Sequence, residues 1–387
     1  MFSLILAAIA AAQQSVPPPP GPPPPPPAVA AAVSSMPTPR PVLIDYEATE
    51  VRCRGEVVRP SFVARPLPDS AWLREDQEAA TYQIAFRIAD DGRPLGISRP
   101  NRVGDEHRYG DQDDLAPALA AWRFPPGAER PGCVATFAPR AVAVADAPPA
   151  MLHRYVALPR TGGAAWKAVT DRLREESPGC FGSGPPRPLL QGYPDFDAIP
   201  QPPGAFSYSM IGFDIDASGV PAKVRVLSSD GNAAFDQASV AAIEKSRFAG
   251  GARTGCHYPY HRRQATPVEA PRPPERDTFV AADSRCDSKE PWAKTPVLVF
   301  PEAFRRRPFE GWAIVRYDVA PWGATGEIEV LASEPAAAFG EQARNVIRAA
   351  TRASSAEGAT GCVDRVLFKL PRDGETPNAE APPVSVE

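Results

Sequence analysis

One pattern occurs three times in this chain, and it limits the possible folds more than any other feature. Its clearest copy runs from Tyr193 to Cys256. There Ile211, Phe213 and Ile215 take every second position and share one face of a strand. Ser218-Gly219 supplies a turn, and Val224 and Val226 line the return strand. Phe235, Ala238, Ala242 and Ile243 then fall on one stripe of a helix. A hairpin alone is marginal, but an apolar helix laid across it closes a small α+β core. Upstream, Ile84, Phe86, Ile88 and Gly92 repeat the strand and turn, and Leu115, Ala118, Leu119 and Trp122 repeat the helical stripe. Downstream, Val315, Tyr317, Val319 and Gly323 are followed by Phe339, Ala343, Val346, Ile347 and Ala350. Each copy ends on a Gly-Cys pair: Gly132-Cys133, Gly255-Cys256 and Gly361-Cys362. A period of roughly a hundred residues is too long for a solenoid repeat and fits tandem domains.

The 387 residues leave room for two or three such domains. Lys and Arg number 42 against 46 Asp and Glu, so no basic field points to nucleic acid. Residues 2–12 form an apolar run, shorter than the ~20 residues a membrane-spanning helix needs. With Ala10 and Ala12 as small residues before a cleavage point, residues 1–12 read as a secretory signal. A short membrane-dipping tail is the other reading. Residues 13–45 form a Pro-rich linker, which as polyproline II makes a semi-rigid spacer. The first unit spans 46–150, and Pro94 and Pro100 restrict its return strand to an edge or a short strand. A connecting helix is expected within 151–178, the second unit over 179–265, and a linker over 266–280. The third unit spans 281–371, and a polar tail over 372–387 reads as disordered. The expected fold is α+β: three tandem small domains, each an antiparallel sheet with helices on one face.

Each unit opens and closes with a cysteine, and the two lie 80, 76 and 76 residues apart. Six cysteines allow many pairings, and their number alone selects none. A spacing copied three times, however, argues for bonds within each copy: Cys53–Cys133, Cys180–Cys256 and Cys286–Cys362. Loops of this length gain about 4 kcal/mol on the chain-entropy account. Such bonds suit small cores and place the chain in an oxidising compartment. Free buried thiols or a metal site are the rival reading, and no C-x-x-C spacing supports zinc.

The second unit resembles the C-terminal domain of the TonB family. The residues that carry the resemblance are Tyr193-Pro194 and Ala198, the turn from Asp216 to Gly219, and Ser228-Ser229 with Gly231. Phe235-Asp236, Ala238 and Arg247-Phe248 complete it. The third unit keeps Phe300-Pro301, Gly323, Leu331, Ser333, Phe339 and Ala343. The first keeps Leu67-Pro68, Gly92 and the run from Trp122 to Pro125. The resemblance covers most of residues 60–370 and is clearest in the second copy. It implies a periplasmic, non-enzymatic protein without cofactor or small-molecule substrate, grouped with the energy transducers of TonB-dependent transport. In that family the domain grips an extended segment of an outer-membrane transporter, which adds as a strand at the sheet edge. Candidate edge strands are His257 to His261, with Tyr258 and Tyr260, and Val363 to Leu370, with Val366, Phe368 and Leu370 on one face. The chain departs from the family in lacking a long anchor, in its three copies and in its cysteine pairs. A structural envelope protein that binds cell wall or itself is the alternative.

Other candidate chemistry is thin. His257 and His261 would lie ~13 Å apart on a strand, too far to share an ion. Asp214 with Asp216, and Asp195 with Asp197, could pair carboxylates ~6–7 Å apart for acid/base work, although polar positions beside turns explain them. Arg305-Arg306-Arg307 reads as a solvated loop able to meet an anionic partner.

Overall fold

A computed structural model describes residues 38–75, 77–99, 114–158, 163, 165–263, 266–286 and 292–372. The signal-like run, most of the Pro-rich stretch and nearly all of the polar tail lie outside these described residues. The first sheet contains β1 (Arg40–Cys53), β2 (Glu56–Val57), β3 (Asp69–Leu73), β4 (Tyr82–Ile88), β5 (Pro94–Ser98) and β6 (Arg130–Ala143), with α1 (Leu115–Ala120) before β6. Helices α2 (Pro149–Ala157), α3 (Trp166–Glu175) and α4 (Pro178–Phe181) follow. The second unit holds β7 (Arg187–Leu190), β8 (Phe206–Ile215), β9 (Pro221–Ser229), α5 (Ala233–Lys245), β10 (Arg247–Ala249) and β11 (Arg253–Arg263). The third holds β12 (Trp292–Lys294), α6 (Glu302–Arg306), β13 (Gly311–Val319), β14 (Thr325–Glu334), α7 (Ala337–Arg348), β15 (Thr351–Arg352) and β16 (Ala359–Phe368).

The fold is mixed α+β, with antiparallel sheets and few helices. The strand orders are β2-β1-β6-β4-β5, β11-β8-β9 and β14-β13-β16, with β3 on β1 and two-stranded pairs β7/β10 and β12/β15. In each unit a hairpin is followed by a helix, and the last strand returns beside the hairpin's first. Two features depart from the pattern read in the sequence. β1 begins at Arg40, inside the stretch read as linker, and pairs along β6. Helix α2 precedes the expected connecting helix, with Pro149 at its first turn.

Three backbone details recur at matching places. The turn glycines Gly92, Gly219 and Gly323 have φ of +82°, +84° and +91°. Their carbonyls accept the N–H of Phe124, Phe248 and Arg352 at 2.9 Å. A Cβ on these glycines would meet the carbonyl oxygens of the same three residues at 2.1, 2.0 and 2.2 Å, so only glycine fits. Four residues further on, Gly96, Lys223 and Glu327 have φ of +59°, +52° and +46°, each where the hairpin register slips by a bulge. The glycines before the last cysteines, Gly132, Gly255 and Gly361, have φ of +67°, +70° and +69°. Disulfides join Cys53 to Cys133, Cys180 to Cys256 and Cys286 to Cys362.

The apolar interior is divided unevenly. The second unit has its own cluster, in which Ile211, Phe213 and Ile215 meet Phe235, Ala242 and Ile243. The first and third share one continuous cluster, from Ile84 and Phe86 through Leu119 and Phe304 to Phe339 and Phe368. The opposite face of the second sheet is covered by α2, where Tyr208 packs with Ala157 and Leu158. On the third sheet, Trp312 and Ile314 pack with Ala270 and Phe279, and Trp312 Nε1 donates to Pro271 O at 2.8 Å.

Arg307 corrects the solvated-loop expectation for the triple arginine. Its side chain is fully buried and ion-paired with the equally buried Asp114 at 2.6 Å. It also donates to Gly204 O at 2.5 Å and Arg65 O at 2.7 Å, and it lies 4.6 Å over the Phe206 ring. One guanidinium from the third unit thus engages residues of the other two. A desolvated arginine persists only when its donors are satisfied, and Arg307 meets this condition with a carboxylate and two carbonyls.

Candidate functional site: the open edge of the second sheet

β11 is bonded to β8 from Arg253↔Ile215 to Arg263↔Phe206, and no strand pairs with its other edge among the described residues. Side chains alternate along it. Cys256 and Tyr260 enter the core below α5, and Tyr258 packs partly buried against it. His257 turns to the opposite face. Pro259 sits mid-strand, where proline is tolerated only when its nitrogen faces away from the neighbouring strand. His257 and His261, two residues to either side, share that orientation and direct their N–H groups outward.

The two ends of this edge differ. Near Cys256 it is covered by α4: the disulfide fixes Cys180 there, and the Phe181 ring lies 4.8 Å from His257. Gly179 approaches Thr254 so closely that a Cβ would lie 2.4 Å from Oγ1. Arg253 donates to Gly184 O at 2.5 Å and also to Cys180 O. From Tyr258 to Arg263 no such cover exists among the described residues. Beside this part, Tyr193 is 64% exposed and meets Tyr260 edge-on at 6.4 Å. Tyr258 packs on Tyr260 at 5.0 Å. Tyr260 is locked in place: its hydroxyl donates to Gly192 O at 2.7 Å and accepts from Gln191 Nε2 at 3.1 Å. Burial pushes its pKa up to about 12.

On the other face, His257 lies 6.3 Å from the His153 ring of α2, and His153 Nδ1 is 3.0 Å from Ser228 Oγ. Burial, aided by the neighbouring His153, pulls the His257 pKa down to about 4. His257 and His261 therefore do not form a pair, and His257's ring neighbours are Phe181 and His153. Among the described residues no group of three or more His, Cys, Asp or Glu side chains could hold a metal.

Among the described residues the corresponding strand of the third unit, β16, pairs with no named strand but β13. Val366 and Phe368 are fully buried side chains of the shared core, so they present only backbone to a partner. Leu370 lies beyond the strand, where its N–H donates to Glu310 Oε1 at 3.2 Å. The start of β16 is held by Arg285, whose N–H donates to Thr360 O at 3.0 Å.

Asp214 and Asp216 are spent on architecture. Asp214 accepts from Gly255 N at 2.9 Å and meets Lys223 Nζ at 2.9 Å. Asp216 accepts from Ser218 Oγ at 2.6 Å and from Val220 N at 2.9 Å, closing the turn. The Lys223 contact holds Asp214 below the usual carboxylate range, and the Ser218 hydroxyl does the same for Asp216. Neither carboxyl is poised to donate a proton at neutral pH. Asp195 and Asp197 are exposed on a loop.

Residues 204–265 match the family model of the Gram-negative bacterial TonB protein C-terminal. The TonB match takes in β8, β9, α5, β10 and β11, and so includes the whole open edge. No curated protein matches the chain. No helix among the described residues is long and apolar enough to cross a membrane.

One buried cluster escaped sequence reasoning. In the third unit Tyr317 Oη donates to Asp364 Oδ2 at 2.6 Å, and Arg352 Nη2 meets Tyr317 Oη at 2.6 Å and Asp364 Oδ2 at 3.0 Å. The Arg352 guanidinium lies 3.9 Å over the Trp292 ring. Counting from the turn glycines of the second and third units would have exposed it, because Arg352 follows Gly323 at the same distance as Phe248 follows Gly219.

Proposed function

We propose that this chain is a TonB-type protein of the Gram-negative cell envelope that works in the periplasm as a non-enzymatic adaptor. Its second unit binds an extended segment of an outer-membrane transporter by adding it as a strand to β11. The observation that carries this reading is the outer edge of β11 from Tyr258 to Arg263, where His261 and Arg263 direct their N–H groups outward and no strand pairs among the described residues, inside the segment that matches the TonB C-terminal. Strand addition draws affinity from main-chain hydrogen bonds and specificity from alternate side chains. The exposed Tyr193 beside Tyr258 offers the aromatic surface for the latter.

The finer reading is that all three units are copies of one TonB-like domain, each clasped by its own disulfide. The recurrence of the turn glycine, the bulge four residues on and the Gly-Cys step supports it. The Pro-rich stretch then serves as a spacer behind an export signal, and the disulfides agree with an oxidising periplasm.

A labelled extended peptide from a transporter tests this reading when titrated against the full chain and against His261→Pro. The substitution removes an outward N–H without touching the core. Saturable binding weakened about tenfold by the proline is expected from loss of one main-chain bond and local distortion. Binding that ignores the substitution would contradict the proposal.

A further inference from the structure

The first unit shows the corresponding edge already occupied. β6 stands in its unit where β11 stands in the second: it follows the helix, carries the Gly-Cys step and pairs with the first hairpin strand. On its other side β6 is bonded by β1, antiparallel, from Val42↔Ala143 through Tyr46↔Pro139 and Ala48↔Phe137 to Cys53↔Cys133. β1 is not part of the repeated strand-turn-strand-helix pattern. It comes from the N-terminal side and lies along the flank that β11 leaves open from Tyr258 onward. Counting from the closing cysteines, Ala135 and Phe137 of β6 correspond to Tyr258 and Tyr260 of β11. On β6 those two places face Val51 and Ala48 of β1.

We infer that β1 is a resident strand on an acceptor edge common to the first and second units. The chain closes the first unit's edge with its own residues and keeps the second unit's edge for a partner. This rests on the strand-addition reading of β11 and extends it in two ways. It sets the direction of the incoming strand, antiparallel, and it removes the first unit from the binding stoichiometry.

The chemistry of β1 indicates what the edge accepts. Tyr46 and Val51 are buried in the apolar cluster, while Asp45 points the other way. Asp45 is ion-paired with Arg154 of α2 and lies 3.6 Å from Arg65. The second unit has the same two sides. Tyr258 and Tyr260 lie toward the helix, and the exposed His261 and Arg263 flank the rest of the edge. The fitting strand alternates apolar residues on the helix side with acidic residues on the other, as Ile44 to Val51 does. β1 is also fastened at its far end by the Cys53–Cys133 disulfide, so it is a permanent occupant.

Backbone hydrogen exchange of the full chain tests this, with a synthetic peptide copying residues 44–51 as probe. In the unsubstituted chain the probe is expected to slow exchange at least tenfold at His261 and Arg263, the outward amides of 258–263, and to leave the already paired 134–142 unchanged. In Ile44→Pro/Tyr46→Pro, exchange across 134–142 rises at least tenfold and the probe restores its protection. Unchanged protection of 134–142 in the variant overturns the inference. So does raised exchange that the probe fails to reverse while 258–263 still responds. No response at 258–263 in the unsubstituted chain counts against strand addition at β11 and leaves the comparison at 134–142 to decide the role of β1. If the double variant also loses protection across 211–215 and 313–319, Ala48→Pro takes its place. General loss of protection in that milder variant too makes β1 common core, and the inference fails.

Discussion

The second and third units solve the same packing problem with opposite chemistry. Below the helix of the second unit, Phe213 and Phe248 stack at 5.5 Å. At the same places the third unit has Tyr317 and Arg352, with Asp364 completing a buried charged triad. The first unit follows the second, with Phe86 and Phe124 at 5.9 Å. The backbone frame is shared, down to the glycine carbonyl that receives the N–H of Phe248 or Arg352. A frame pinned by glycine turns and bulges therefore tolerates either an apolar or a fully paired polar filling. What it does not tolerate is a half-paired one.

The largest effect should come from breaking the polar solution. Arg352→Ala leaves Asp364 buried without its cation and is expected to cost about 3–5 kcal/mol. Replacing the set with its counterparts in the second unit (Tyr317→Phe, Arg352→Phe and Asp364→Tyr) should be neutral or stabilising by about 1–4 kcal/mol. Denaturant titrations followed by NMR signals of Ile314 and Ile211 would assign each change to its unit. A triple replacement as damaging as Arg352→Ala would refute the interchangeability of the two fillings.

Acid should separate the units next. His257 is neutral in the fold with its pKa pulled down to about 4, so the stability it contributes is complete above pH 6.5. That contribution is lost as pH falls from 6.5 to 4, up to about 3 kcal/mol in the second unit. Burial raises the Asp364 carboxyl instead. The fold then holds a proton that the unfolded chain releases, so this group favours the third unit as pH falls toward 3.8. Comparing Ile211 and Ile314 titrations at pH 7 and pH 4 should show the second unit weakening more. His257→Gln should shrink that difference.

The smallest effects sharpen the shared frame. Gly219→Ala and Gly323→Ala each add a Cβ near 2 Å from a carbonyl oxygen, in a left-handed backbone, and should cost about 1–3 kcal/mol. Gly255→Ala meets no atom within 4 Å and should cost about 1 kcal/mol from its φ alone. Thermal melts of the three variants would rank them, and equal shifts would deny the close approach its role.

Much of this frame was legible in the sequence. Glycine turns, alternating strands, helical stripes and cysteine spacing are local signals, each tied to one residue type doing what no other can. What stayed hidden depends on distant partners. The first six residues of β1, 40–45, read as the end of a proline-rich linker and the rest as the start of the first unit, since nothing in its residues names β6 as its neighbour. Arg307 sits in a run of arginines whose bare pattern means solvent, and only folding brings Asp114 and Gly204 O to it. The edge of β11 could be anticipated from the resemblance, but its cover by α4 and the register of Pro259 could not.

Strand addition at β11 is tested most directly by isotope-edited NMR of the full chain bound to an extended transporter peptide. Backbone contacts between the peptide and the amides of His261 and Arg263, with the exposed face of β9 around Leu227 unaffected, are the predicted result. A peptide that saturates elsewhere on the chain, or one that leaves these amides unchanged at millimolar concentration, would contradict it.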